Sequence, residues 1–116
     1  MPKQKLNPLP AAAFRILMSL VDEDLHGYEI MRRVEEQTGG RTRLGPGTLY
    51  SSIQALLEAG FISEVPTPAA EAAGNERRRY YRVTASGRKA GREEAERLAD
   101  LLRLARVKKL LRGEYV

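Results

Sequence analysis

The chain contains neither cysteine nor tryptophan, and only one histidine. Without cysteine there is no disulfide, no thiolate zinc site and no cysteine nucleophile. That composition suits a reducing compartment, and a cytoplasmic location is the expectation. The lone histidine, His26, has no cysteine or acid pair beside it, so it is a poor metal ligand or acid–base group. Such a residue more often caps a helix or faces a phosphate. No apolar run approaches the length of a membrane-spanning helix. The opening MPKQKLNPLP carries lysines but no apolar stretch after them, so no secretory signal is expected. Ser51 and Ser52 have no base within sequence reach, which leaves nucleophilic catalysis unsupported. Gly39-Gly40 and Gly45-x-Gly47 lack the preceding strand and the lysine of a phosphate loop. Asp22-Glu23-Asp24 reads as a solvated turn whose charge favours the start of the next helix, not as a metal cluster. No enzyme, no metal and no cofactor are expected.

What is present is positive charge, unevenly placed. The 116 residues carry a net charge of +5. Residues 1–76 hold 7 Lys+Arg against 10 Asp+Glu, and residues 77–116 hold 13 against 5. A basic balance favours nucleic acid or an anionic membrane surface as partner. For Arg77, Arg78 and Arg79, beside a loop, contact with phosphates is the reading. The basic residues beyond Arg97 equally suit a solvated helix face.

The apolar pattern divides the chain into short elements. A helix is expected from residue 9 or 10 to 21, with Ala11, Phe14, Ile16, Leu17 and Leu20 as its apolar positions. A second runs from about 27 to 38 on Ile30, Met31 and Val34, and Gly39-Gly40 breaks it. The third lies between residues 45 and 60. Pro46 suits a first helical position because its φ is already fixed and its missing N–H is not needed there. Gly60 suits a left-handed stop. Leu49, Ile53, Leu56 and Leu57 recur at helical spacing and mark the buried face. Residues 61–65 and 78–84 read as strands around the loop 66–76, which is either a wing tip or disordered. A last helix begins with Thr84 or Ser86 as N-cap and runs to about 111.

The outer face of the third helix offers Gly47, Thr48, Tyr50, Ser51, Gln54 and Ala55, with Arg41 and Arg43 on its approach. That face is small, hydrogen-bonding and almost without negative charge, which suits the major groove of DNA. Gln54 pairs well with adenine, and Thr48 or the Ala55 methyl with a thymine methyl. Lys and Arg, the usual readers of guanine, are absent from this helix, so an A·T-leaning site is expected. Tyr50 has two readings: a ring packed on the core with its hydroxyl on a phosphate, or a purely structural role.

Helices followed by a two-stranded wing are the order of a winged helix-turn-helix. HGYEI, GTLYSSIQALLEAGFI and RRRYYRVTASGRKA, in this order and spacing, resemble the PadR family of transcriptional regulators. The resemblance runs from about Leu9 to about Lys89. It departs at Ser51, where family members commonly carry proline. The fold expected is mainly α with a small β-wing. Residues 1–8 form an N-terminal arm, 9–84 the winged-helix DNA-binding domain and 85–116 a C-terminal dimerisation helix. On that last helix Leu98, Leu101, Leu102 and Ala105 form one apolar stripe, and Leu104, Val107 and Leu111 an adjoining one. A domain this small cannot bury both. The same helix of a second copy is the expected cover, and folding back on its own domain is the other reading.

The function expected is a dimeric repressor that binds a palindromic operator on double-stranded DNA. The DNA-facing residues would be Arg41, Arg43, Gly47, Thr48, Tyr50, Ser51, Gln54, Arg77, Arg78 and Arg79. The alternative is a winged-helix interaction module that dimerises or docks on a protein and never reads DNA. The arginine run 77–79 and the basic C-terminal part argue against it, because a protein-docking wing needs few cations. The resemblance also implies a possible small lipophilic effector, often phenolic. With no tryptophan the aromatic sandwich of some multidrug-binding relatives is unavailable. Phe14 or Tyr115 would replace it only by reaching the dimer seam, so weak aliphatic binding or none is the expectation.

Overall fold

The computed structural model describes residues 6–68 and 78–112. The expectations that fall on Arg77, on Tyr115 and on most of the 66–76 loop lie outside the described residues. The described elements are α1 (Ala11–Leu20), β1 (Leu25–His26), α2 (Gly27–Gln37), α3 (Pro46–Ala59), β2 (Ile62–Val65), β3 (Tyr80–Val83) and α4 (Ala85–Val107). The fold is mainly helical with a small antiparallel sheet, a winged helix.

Its core follows the apolar spacing of the sequence. Ala13, Ile16, Leu17 and Leu20 of α1 meet Ile30 and Val34 of α2, Leu49, Ile53 and Leu56 of α3, and Ile62, Tyr81 and Val83 of the sheet. Each large aliphatic side chain so placed contributes about 1.5–3 kcal/mol. Phe14, Met31 and Leu57 are only half-buried at its edge, and Ala11 is exposed.

The structure departs from the sequence reading in four places. The wing has three strands, in the order β1-β3-β2, with Leu25 opposite Tyr81 and His26 opposite Tyr80. A strand of two residues has no period to detect. The described part of the expected arm, residues 6–8, does not stand apart, because Leu6 joins the core with Leu9. The acidic turn is not simply solvated. Asp24 accepts two hydrogen bonds from Arg82, at 3.0 and 2.8 Å, and Glu23 pairs with Arg33. The turn after α1 is thereby tied to the wing and to α2. Finally, α4 ends at Val107 and not near 111. Lys109 takes a left-handed φ of 64°, its N–H reaches the Arg106 carbonyl at 3.0 Å, and the Leu110 N–H reaches that of Ala105 at 2.8 Å. This is a Schellman stop made without glycine.

One junction holds α3, the wing and α4 together. α3 stops as expected at Gly60, φ 78°, with the Phe61 N–H on the Leu56 carbonyl. Thr84 is the N-cap of α4. Its hydroxyl accepts the Gly87 N–H at 3.0 Å and donates to the Gly60 carbonyl at 2.6 Å. The Thr84 N–H reaches the Phe61 carbonyl at 3.0 Å. A Cβ on Gly87 would fall inside contact distance of the Phe61 carbonyl oxygen and 2.9 Å from Val83 Cγ2. Gly87→Ala is therefore expected to destabilise the chain by about 1–3 kcal/mol or more through overpacking against backbone. Gly91→Ala, where the added Cβ meets nothing, is the control and should be neutral or stabilising. Thermal melts of the two variants decide, and equal melting points would remove this role of Gly87.

Further along α4, Glu94 is buried against the body of the domain and pairs with Arg97. The Arg97 guanidinium, helped by the Leu9 backbone N–H, holds its carboxyl below the ordinary carboxylate range, against the burial that pushes it up. A lowered folded-state value means stability that is complete above the unfolded value of about 4.3 and lost as the pH falls through the folded one. Glu94→Gln should therefore be less stable than the wild type at neutral pH. The difference should shrink as the pH drops below the usual carboxylate range. Denaturant titrations at a series of pH values measure it, and a difference constant from neutral to acid pH would exclude this contribution.

Candidate nucleic-acid interface

α3 is anchored by one face and open on the other. Leu49, Ile53 and Leu56 are buried, while Gly47, Thr48, Tyr50, Ser51 and Gln54 are exposed. Ala55 is half-buried against the core and does not belong to the open face. Its expected contact with a thymine methyl is corrected accordingly. The Ser51 hydroxyl donates to the Thr48 carbonyl at 3.3 Å, a bond that a proline at that position would not make. The Gln54 amide donates to Glu58 at 3.1 Å, which turns its carbonyl oxygen away from that carboxylate. A Cβ on Gly45 or Gly47 would meet nothing within 4 Å. Among the described residues no packing requires glycine there, and the backbone at the start of α3 is open to an approaching partner.

The turn before α3 is held by Thr38. Its hydroxyl donates to the Val34 carbonyl at 2.9 Å and accepts the Thr42 N–H at 3.0 Å. Arg41 is exposed, and Arg43 is 80% exposed while it pairs with Glu35 at 3.2 Å. An exposed pair of this kind is worth little and opens readily to a stronger anion.

The wing meets the helices beside α3. Arg78 and Arg79 lead into β3 and are exposed, and Arg82 pairs with Asp24. Between α2, α3 and this strand lies a cleft of about 330 Å³ with Gly27, Tyr28, Tyr50 and Tyr81 on its walls. Tyr50 is 54% exposed, and its ring lies against Gly27, where an added Cβ would sit 2.9 Å from the hydroxyl. The ring thus lies against the start of α2 and outside the core cluster on which the first reading placed it. Burial, then the charge of Glu64, pushes the Tyr81 phenol up from its ordinary value, so it stays a protonated donor.

Tyr28, exposed beside this cleft, was not singled out by the sequence reading, whereas His26 was read as a helix cap or a phosphate contact. His26 caps α2: its Nδ1 accepts the Glu29 N–H at 3.3 Å, and the Glu29 carboxylate accepts the His26 N–H at 3.2 Å. The spacing His26-x-x-Glu29 is the sequence signal of this reciprocal cap. Among the described residues no cluster of His, Cys, Asp or Glu fits a metal ion, and no helix is long and apolar enough to cross a membrane.

The apolar stripes of α4 lie mostly open. Leu101, Leu102, Leu104 and Val107 are exposed, as is Leu110, which belonged to neither expected stripe. Leu98, Ala105 and Leu111 are half-buried. Phe14 lines a groove of about 240 Å³ between α1 and the first half of α4, with Leu17, Met18 and Val21 beside it.

A polar helix face over a buried back, flanked by a basic wing, defines a winged-helix protein of the DNA-binding type. The comparisons with known proteins narrow this. The model of the transcriptional regulator PadR-like family matches residues 16–93. An uncharacterised 37.1 kDa protein in a Streptomyces fradiae transposon is 37% identical over 90 residues. That match takes in 78% of this chain and only 24% of the relative. A transcriptional regulator from Clostridium thermocellum is 26% identical with a TM-score of 0.71, over 87% of this chain and 90% of that one. A PadR family transcription regulator from Clostridium difficile is 22% identical with a TM-score of 0.72, over 84% and 96%. Bacillus subtilis PadR in complex with operator DNA is 22% identical with a TM-score of 0.60, over 94% of this chain and 51% of that one. The chain belongs to the PadR-like family of transcriptional regulators.

Proposed function

We propose that the protein is a dimeric repressor that reads a palindromic operator with α3 of each copy and grips the flanking backbone with its wing. The observation that carries this is the open face of α3. Thr48, Tyr50, Ser51 and Gln54 project from a helix whose back is fixed in the core, and the arginines of the wing stand beside it. The Bacillus subtilis neighbour, which shares the fold, was captured on operator DNA. That supports DNA as the partner here.

Specificity and affinity have different sources in this reading. Gln54, with its amide oriented by Glu58, and Thr48 face base edges. Arg41, Arg43, Arg78 and Arg79 face phosphates, which fix register but carry no sequence information. The exposed leucines of α4 are the dimer seam. Two copies joined there would place their α3 helices on half-sites about one turn of DNA apart, roughly 34–36 Å. Occupying promoter DNA is then enough to repress. A lipophilic effector entering the seam would act only by preferring the arrangement that does not fit DNA. Phe14 lines the separate groove between α1 and the first half of α4, whose walls include none of the exposed leucines.

Three experiments test the reading. Selection of bound sequences from random DNA should return a palindrome, and Gln54→Ala should change the preferred base at one position per half-site at a cost of about 1–3 kcal/mol. Arg78→Ala and Arg79→Ala should weaken preferred and random DNA alike, each lowering the slope of log K against log salt by about 0.9. Loss of affinity in Gln54→Ala with no change of base preference would make Gln54 a backbone contact. For the dimer, light scattering should give twice the chain mass, and Leu101→Asp or Leu104→Asp should shift it toward the monomer. A monomer at working concentration in the wild type would exclude the seam.

A further inference from the structure

α4 is tied to α1 by polar contacts at two places, with open space between them. Arg88 lies in the first turn of α4, one residue after the Gly87 that rests on Phe61. Its Nη2 donates to the Val21 carbonyl at 2.7 Å, across 67 positions of sequence. Val21 is the C-cap of α1. The last carbonyls of a helix have no partner within it, so a guanidinium there supplies one and also suits the negative end of the helix dipole. Near the other end of α1, the buried Glu94 takes the Leu9 backbone N–H. Between these two ties the apolar surfaces do not close. Phe14, Leu17 and Met18 of α1 line the groove of about 240 Å³ together with Gly91 and Ala95 of α4. A Cβ added at Gly91 would meet nothing within 4 Å. Close-packed side chains resist tilting of one helix on another, and a groove of this size removes that resistance. The start of α4 is therefore held to the end of α1 by a hydrogen bond where packing does not hold it. Arg92, one turn further along and on the wall of the same groove, makes no hydrogen bond or ion pair with the described residues.

We propose that Arg88 is a positioning residue for the recognition of paired half-sites: by bonding to Val21 it sets the tilt of α4 across the groove, and with it the separation of the two α3 helices in the dimer. The inference rests on the reading of the chain as a dimeric DNA-binding regulator. The exposed leucines begin at Leu101, roughly 20 Å beyond Arg88 at about 1.5 Å per residue, so a small change of tilt is magnified at the seam. Arg88 bonds to neither α3 nor the wing strands, so the grip of a single winged domain on DNA does not depend on it.

The test uses the full chain, a duplex with one half-site and duplexes with two half-sites at varied separation. Arg88→Met keeps an unbranched side chain and removes the donors and the charge. Arg92→Met removes the same charge one turn away without breaking a hydrogen bond, and is the control. Arg88→Met should bind the single half-site as the wild type does, with the same salt slope. It should bind the preferred pair about 3–10-fold more weakly, the worth of one hydrogen bond, and should discriminate less against a pair moved apart by one base pair. Arg92→Met should match the wild type throughout. Tilt is also read without DNA. The chain has no cysteine, so Glu36→Cys and Glu96→Cys, at exposed positions of α2 and α4, take a pair of spin labels. With labelled chain diluted in unlabelled chain, the distance distribution should shift or broaden with Arg88→Met and stay unchanged with Arg92→Met. Support requires both readouts to move, and a change in one alone overturns the proposal. Equal weakening of single and paired sites with a lower salt slope would make Arg88 a phosphate contact. A lower melting point with spacing preference and label distance unchanged would make the bond to Val21 a local cap, while the regulator reading stands. If the wild type is a monomer, or binds a pair no better than one half-site, the dimer reading falls and the proposal with it.

Discussion

The arrangement of the reading helix, the wing and the last helix depends on one close approach, that of Gly87 to the Phe61 carbonyl. α3 has just ended at Gly60 when the chain enters β2, and α4 begins as soon as β3 is complete. Both events occur at the same point in space. The Thr84 hydroxyl links the α4 cap to the Gly60 carbonyl, Ser86 adds a second hydrogen bond to that carbonyl at 2.9 Å, and the Thr84 N–H closes on Phe61. A side chain on Gly87 would separate the helix from the strand and cut these bonds together. The polar groups satisfied here are the ones that helix ends otherwise leave without partners. The ends of three elements are thus mutually satisfied with little help from long side chains.

Charge is distributed to match that frame. Arg82 and Arg33 are consumed in pairs with Asp24 and Glu23, which brace the turn after α1. Arg97 is consumed by Glu94, which braces α4 against the N-terminal segment. Arg41, Arg43, Arg78 and Arg79 stand on the side of α3 and are exposed, and Arg43 is paired there with the surface carboxylate of Glu35. α3 itself carries neither lysine nor arginine. In the proposed reading such a protein would derive affinity from the phosphates around α3 and leave discrimination to a few uncharged side chains, so salt would act on affinity far more than on preference.

The parts of this structure that sequence made legible are those written in local chemistry. Gly45-Pro46 and Gly60 bracket α3 because fixed φ and left-handed φ are properties of single residues. The apolar spacing of α1, α2 and α3 shows which face is buried. What was not legible depends on partners distant in the chain or on conformations a residue adopts under tertiary constraint. β1 has two residues and exists only because Tyr80 and Tyr81 arrive opposite it. Asp24 finds Arg82 58 positions away. Lys109 takes a left-handed conformation that composition assigns to glycine, so the stop of α4 came four residues before the expected one. Of the site, the α3 face and the wing arginines were visible. The role of His26 was half visible, since the cap shows in His26-x-x-Glu29, but the approach of Arg78 to its other nitrogen comes from the fold.

The length of α4 gives the junction its leverage in the proposed dimer. A helix rises about 1.5 Å per residue, so the exposed leucines around Leu104 stand roughly 25 Å from Gly87. A small tilt of α4 where it rests on Phe61 therefore becomes a displacement of several ångströms at the seam, or equally a displacement of one α3 relative to its mate. Two half-sites on rigid DNA tolerate little of that. In the proposed dimer the requirement for glycine at position 87 would in this sense be a requirement on operator spacing as well as on stability. The groove between α1 and α4 lies along the same lever, with Gly91 on its wall and Phe14 facing it. A molecule wedged there would act on the angle of α4 without touching either the reading helix or the phosphate contacts. Its effect would be on the match of the dimer to paired half-sites, leaving the grip of each winged domain on a single half-site unchanged.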